Sequence, residues 1–259
     1  MPEGPEIRIV SEELNSIFQN RICVKIVSNS VFTDNLFKSD YCFINKIFNV
    51  NRICDEIYST GKKIFFIFQN KCFISSCLMN GRWLLNEPER YLFYIQFENL
   101  NLYYSDYSQS SHFSILSINS SNYISCIKDL GPDYFYLDFE DFKNQIKRRK
   151  LDVQDFLMNQ SIFSGVGNYL KSDILFMAKI HPKTSVKDLS DHEIETLFHC
   201  IKNRMENSYL CGGSSFYSYC SPSGKLGTYQ HLIYGKKGNN ILTTNDKNGR
   251  ITYYSKNIS

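Results

Sequence analysis

No two of the nine cysteines stand in C-x2-C spacing, and none follows Cys220. A structural zinc site built from neighbouring thiolates is therefore not expected. The set (Cys23, Cys42, Cys54, Cys72, Cys77, Cys126, Cys200, Cys211 and Cys220) is odd in number. The opening Met-Pro-Glu-Gly-Pro-Glu has no basic flank followed by an apolar stretch, so no secretory signal is expected. Together these point to free thiols in a reducing, intracellular compartment. The longest apolar runs fall far short of the ~18 residues a membrane-spanning helix needs. There is no internal repeat, no low-complexity tract and no strong excess of either charge: the formal net charge is +3 and the pI is near 8.3. So mild an excess permits a nucleic-acid partner without requiring one. What is present is 259 residues, 42% apolar, 15% aromatic and 21% charged, which excludes a disordered chain or a coiled-coil rod. The length allows one or two domains.

The pattern of the chain changes midway. Residues 5–18 predict an amphipathic helix, with Pro5 suited to its first turn and Ile7, Val10, Leu14 and Ile17 on one face. From about 21 to 128 the pattern is of short strands rich in Ile, Phe and Tyr, as in Lys63-Ile-Phe-Phe-Ile-Phe and Tyr91-Leu-Phe-Tyr-Ile-Gln-Phe, which suggests a sandwich or barrel. After the turn Leu130-Gly-Pro-Asp133, helices are predicted over 139–149, 152–160, 167–179 and 190–209. Strand candidates Ile241–Thr244 and Ile251–Tyr254 flank Asn248-Gly249, a hairpin turn signal. The expected fold class is α+β. A β-sandwich with a leading helix spans 1–128, a linker and first helix 129–150, and a helical unit 151–259, ending in a hairpin over about 232–259.

Four elements could carry chemistry. Removal of Met1 would leave Pro2 with a free α-amine. At a pKa near 8 such an amine is roughly 10% neutral at pH 7, and so a ready nucleophile toward an aldehyde-level carbon. Glu3 and Glu6 beside it could move protons, or simply suit a helix start. Gln160-Ser-Ile-Phe-Ser-Gly-Val-Gly-Asn-Tyr169 joins two helices. Gly165 and Gly167 there would allow a tight turn whose N–H groups, with Asn168, could grip a phosphate. Thr60-Gly-Lys62-Lys63 could project an ammonium from a turn, and Arg250 on the last hairpin could contact a phosphate. The run Lys147-Arg-Arg-Lys150 reads most simply as a solvated helix face.

Taken in order, these motifs resemble the formamidopyrimidine-DNA glycosylase and endonuclease VIII family of base-excision repair enzymes. Pro2-Glu-Gly-Pro-Glu6, Gly61-Lys62, Met79-Asn-Gly81, Leu130-Gly-Pro-Asp133, Gly165-Val-Gly-Asn168, Ala178-Lys-Ile-His-Pro182, Gly212-Gly-Ser-Ser215, Tyr234-Gly-Lys236 and Gly249-Arg250-Ile-Thr-Tyr-Tyr254 carry the likeness along the whole chain. Gly4 leans toward the endonuclease VIII branch.

The resemblance implies a bifunctional DNA glycosylase and abasic-site lyase that excises oxidised bases (pyrimidines, hydantoin or ring-opened products). It would act through a Pro2 Schiff base and β,δ-elimination. Glu3 would be the proton donor, Glu6 a supporting carboxylate, and Lys62, Asn168 and Arg250 phosphate contacts. Met79 would fill the void left by a flipped base. The implied partner is damaged DNA, single- or double-stranded, bound by a monomer that needs no cofactor or metal, wherever DNA is repaired. A helix–two-turns–helix motif and a zincless finger are expected in the C-terminal unit. Two rivals are a non-catalytic lesion- or abasic-DNA binding protein of the same fold and an RNA-binding module.

Departures accompany the likeness. The family's Asp-x-Arg-x-Phe-Gly stretch is here Asp106-Tyr-Ser-Gln-Ser-Ser-His-Phe113. Its arginine is missing, which leaves Gln109, His112 and Phe113 as candidate opposite-strand contacts. Leu78 replaces a glycine before Met79, and Asp173 stands where glutamate is common.

Overall fold

The computed structural model describes residues 2–29, 52–77, 80–108, 110–215 and 219–258. Helix α1 (Gly4–Phe18) starts on a reciprocal arrangement in which the Glu3 N–H donates to Glu6 Oε2 at 2.8 Å. Pro5 occupies its first turn, where a missing N–H costs nothing. Its apolar stripe of Ile7, Val10 and Leu14 ends on the fully buried Phe18, while Ile17 is only partly covered.

Among the described residues nine strands follow: β1 (Ile22–Ser28), β2 (Arg52–Ile53), β3 (Glu56–Thr60), β4 (Lys63–Phe68), β5 (Lys71–Ser76), β6 (Arg82–Leu84), β7 (Phe93–Phe97), β8 (Leu100–Ser105) and β9 (His112–Ser117). They form two antiparallel sheets, ordered β2-β1-β7-β8-β6 and β3-β4-β5-β9. Between the sheets lies an aromatic core. Phe66, Phe73, Trp83, Phe93 and Tyr104 are all buried there, with Trp83 and Phe93 edge-on at 5.7 Å. α1 closes this core against β3.

The continuous apolar run of β4 has a simple cause, since both faces of the strand are covered. Ile64, Phe66 and Phe68 face the sandwich core. Phe65 and Ile67 face outward onto a smaller cluster that includes Tyr123 and Cys126. Those two residues lie on α2 (Ser121–Lys128), a helix within the stretch expected to be strand. Ser120 caps it by accepting from the Tyr123 N–H at 3.2 Å, and none of its residues is fully buried. A helix with so little buried surface leaves a weak apolar period in its sequence. β2, β3 and β9 also lie outside the expected strands.

The rest of the chain builds a second core from α3 (Phe139–Lys147), α4 (Val153–Met158), α5 (Asn168–Ala178) and α6 (Asp191–Leu210). β10 (Ile241–Asn245) and β11 (Ile251–Ser255) form a separate hairpin. Thus the α+β architecture, a sandwich with a leading helix followed by a helical unit and a two-stranded hairpin, is as expected. The two cores meet where α1 packs on α6. Arg8 lies there over the rings of Phe135, Tyr136 and Tyr209 at 4.6, 5.4 and 5.1 Å. Among the described residues no helix is long and apolar enough to cross a membrane.

Phe66→Ala is expected to lower the unfolding free energy by about 3–5 kcal/mol. Leu210→Ala, at a site 74% exposed, should change it by less than about 0.5 kcal/mol. Urea denaturation of the two variants against wild type measures both.

Candidate functional site

The N-terminus of α5 is built by glycines that admit no side chain. A Cβ on Gly167 would lie 2.3 Å from the Glu3 carboxyl carbon. With that space open, the Glu3 carboxylate seats itself on the helix terminus. It accepts from the N–H groups of Gly167 at 2.7 Å, Tyr169 at 2.9 Å and Leu170 at 3.3 Å. Gly165, at φ +116°, approaches Gly4 so closely that a Cβ on Gly4 would meet the Gly165 Cα at 2.9 Å. The Gly4 N–H donates to the Gly165 carbonyl at 2.8 Å. Gly4 therefore has a packing reason of its own, independent of any branch of a family. Gln160 clamps the turn from inside, accepting from the Gly165 N–H at 3.0 Å and donating to the Val166 carbonyl at 2.9 Å.

This corrects one expectation. The N–H groups of Gly165 and Gly167 are already taken and do not wait for a phosphate. Those of Gly167, Tyr169 and Leu170 hold the protein's own carboxylate, and that of Gly165 holds Gln160. The same physics, an anion at a helix N-terminus, is used within the chain. Asn168 donates to the Tyr234 hydroxyl at 3.4 Å, and its buried Oδ1 has no partner among the described residues.

Glu6 is fully buried and committed. Its Oε1 accepts from the Tyr169 hydroxyl at 2.7 Å, the Ser214 N–H at 2.7 Å and Ser208 Oγ at 3.2 Å. Pro2, also buried, precedes this pair of carboxylates.

Lys62 reaches the site on the β3–β4 turn. Gly61 there has φ +59°, and its N–H donates to Asp133 Oδ2 at 2.7 Å. A Cβ on Gly61 would meet the Ser164 Cβ at 2.6 Å, so the turn is pressed against the helical unit. The Lys62 ammonium shares a cleft of about 370 Å³ with Asp155, Gln160, Asn248 and Arg250.

Burial pushes the Glu3 carboxyl up to about 7, with Glu6 adding to the rise and Lys62 and the helix N–H groups opposing it. Burial pushes Lys62 down to about 8, helped by Arg250 and Lys171 and opposed by Glu3 and Glu6. A carboxyl that can keep a proton and an amine that can lose one thus stand close together at neutral pH, the combination acid–base chemistry requires.

Arg250 is exposed at the tip of the β10–β11 hairpin, after Gly249 at φ +76°. Among the described residues no group of His, Cys, Asp or Glu is arranged to hold a metal. Asp173 supports the segment entering the hairpin. It accepts from the N–H groups of Leu232, Ile233 and Tyr234 at 3.0, 2.9 and 3.2 Å and from the Tyr229 hydroxyl at 3.0 Å. The shorter side chain suffices because that segment comes to the helix.

Of the void-filling candidates, Met79 and Gln109 lie outside the described residues. Phe113 is not free to act as a wedge: it stacks on Phe73 at 5.5 Å and meets Tyr104 edge-on at 4.8 Å, within the sandwich core. His112 is exposed at the start of β9. Sequence reasoning missed Tyr107, which is 56% exposed beside Arg90, whose guanidinium lies 5.7 Å from its ring. Its loop is held by Asp106, which accepts from the N–H groups of Ser108, Ser110 and Ser111 at 2.9, 3.0 and 2.9 Å. The register Thr60↔Lys63, Ile64↔Ser75 and Ser76↔His112 sets this loop at the same sheet end as Lys62. The strands that follow them, β4 and β9, lie two strand spacings apart, about 10 Å. An exposed tyrosine after a buried aspartate was the available signal.

Residues 130–219 match the formamidopyrimidine-DNA glycosylase H2TH domain. The chain is 32% identical over 271 residues to a formamidopyrimidine-DNA glycosylase of Mycoplasmopsis pulmonis, with 98% of this chain and 96% of that protein covered. It is 27% identical to one of Listeria innocua, over 92% of this chain and 90% of the relative. Among solved structures, the Lactococcus lactis Fpg in complex with DNA containing an abasic site superposes with a TM-score of 0.86 at 23% identity, covering 99% of each chain.

Gly167→Ala should displace the seated carboxylate and cost about 1–3 kcal/mol of stability. Gly238→Ala, with nothing within 4 Å of the added Cβ, should cost little. Equal melting temperatures for the two variants would show that Glu3 does not need that space. The raised Glu3 pKa also has a sign. Stability falls as pH rises from the unfolded value of 4.5 to about 7, and the effect is complete above that. Glu3→Gln should flatten that stretch of the stability–pH curve.

Proposed function

The chain belongs to the formamidopyrimidine-DNA glycosylase and endonuclease VIII family, and on that premise we propose that it excises damaged bases from DNA and cleaves the abasic site left behind. Pro2 is the nucleophile. Its amine attacks C1′ of the damaged nucleotide as the base departs, and the resulting iminium allows loss of the 3′ and then the 5′ phosphate by β,δ-elimination. Glu3 donates the proton that opens the sugar and takes it back in the elimination steps. Glu6 holds the Glu3 backbone, and Lys62, Asn168 and Arg250 bind phosphates around the lesion. In this reading residues 1–128 carry the reacting groups and 151–259 grip the DNA, with the chain acting as a monomer in a reducing compartment. Met79 and Tyr107 fill the void left by the flipped base.

The single observation that carries the reading is the Glu3 carboxyl. It is buried on the α5 N-terminus, raised to about 7, and set beside a Lys62 that faces the same cleft as Arg250. Binding alone has no use for a carboxyl kept protonatable at that depth. Ring-opened purines are the lesion class printed in the relatives' names, and we extend the substrate range to oxidised pyrimidines and hydantoins. The endonuclease VIII lean behind that extension rests on a last hairpin with no cysteine after Cys220 in the sequence.

Borohydride trapping on duplex and single-stranded DNA carrying an abasic site or an oxidised pyrimidine tests the proposal. A covalent adduct in wild type, absent in Pro2→Ala, is expected. No adduct from protein whose intact mass shows Met1 removed would leave the non-catalytic binder as the better reading. Base excision should follow a bell-shaped pH profile, rising as the Pro2 amine loses its proton at about 8 and falling as Glu3, at about 7, loses its own. A rate that keeps rising to pH 9 would exclude Glu3 as the donor.

A further inference from the structure

A two-stranded hairpin is marginal in water without a metal, a disulfide or a neighbouring layer. Here β10–β11 is held by side chains of α4 and α5. Gln154 donates to the Asn245 carbonyl at 3.1 Å and accepts from Thr252 Oγ1 at 2.7 Å. Asp155 accepts from the Lys247 N–H at 3.0 Å, and Ser172 Oγ from the Tyr253 N–H at 3.2 Å. At the centre is an ion pair between Lys171 Nζ and Asp246 Oδ2 at 3.2 Å, with neither side chain exposed to solvent.

The Asp246 carboxylate does two things at once. Its Oδ1 accepts from the N–H groups of Asn248 and Arg250, both at 2.9 Å, which fixes the five-residue tip that bears Arg250. Its Oδ2 is tied to the α5 helix whose N-terminus seats Glu3. A rigid line of contacts therefore runs from the acid–base pair through α5 to the phosphate-binding arginine. Buried ion pairs contribute little net stability compared with apolar pairs of similar size. What this one supplies is a fixed orientation, because an ammonium and a carboxylate must meet at a set distance and direction. Burial lowers the Lys171 ammonium and Asp246 opposes the fall. The charged pair is thus self-consistent only when complete.

We propose that Lys171 and Asp246 are positioning residues for Arg250, setting the hairpin tip on α5. The proposal rests on the reading of Arg250 as a phosphate contact, and the test separates the two. Binding of wild type, R250A, K171M and K171M/R250A to a duplex carrying a tetrahydrofuran abasic analogue is measured over a salt series. R250A should reduce the slope of log K against log salt by about one, the loss of one phosphate contact. K171M should weaken binding at least fivefold and reduce the slope by the same amount, and the double variant should be within twofold of R250A. A K171M protein that keeps the wild-type slope overturns the positioning role, since a purely structural loss would not remove one phosphate contact. A wild-type slope in R250A overturns the reading of Arg250 and this proposal with it. Should K171M fail to melt cooperatively, K171M/D246N, which leaves no unpaired buried charge, takes its place under the same expectations.

Discussion

The arrangement depends on one contact: the Glu3 carboxylate on the backbone N–H groups at the start of α5. An anion at a helix N-terminus is favoured by the local dipole, and burying a charge is tolerable only where it is hydrogen-bonded. Both conditions are met at one point, and they fix the geometry around it. Gly167 must lack a Cβ, Gly4 must touch Gly165, and α1 must begin where α5 begins. The first turn of the chain and the helical unit are thereby set against each other before Lys62 is considered.

The opposing pKa shifts follow from the same burial. Desolvation raises the acid and lowers the base, and their mutual attraction only partly restores each. The cleft beyond is lined by Lys62 and Arg250, two cations brought together across the join between the sandwich and the hairpin. Their mutual repulsion, which lowers Lys62 against the pull of Glu3, is relieved by an anion lying between them. This makes intelligible how a chain with net charge of only +3 can serve a polyanion.

Much of this was legible in the residues. The helical period of α1, the apolar run of β4 and the Asn-Gly turn of the last hairpin each have a local cause and were read from it. Helix α2 was not, because no residue on it is fully buried. β9 was not, because its outward serines break the apolar run. Of the site, Pro2, Glu3, Lys62 and Arg250 were named from sequence, but the seat of Glu3 could not be, since its partners lie 164 to 167 residues away. Lys171 read as an ordinary helical lysine and Asp246 as an ordinary turn residue. Nothing local marks two charges that meet across 75 residues out of solvent. The glycine turn was read with the right physics and the wrong anion.

The long reach of that carboxylate bears on how the protein is made. At ~5–20 residues per second, a ribosome finishes Glu3 on the order of 10–30 s before Gly167, its first hydrogen-bond donor, exists. Arg250 and its hairpin come later still. During synthesis the first turn of the chain therefore waits without the N–H groups that seat Glu3 and without the Arg250 hairpin. Any nascent or truncated product that stops short of α5 carries the amine but not the environment that tunes its carboxyl. The seat that tunes Glu3 thus exists only once α5 has been made.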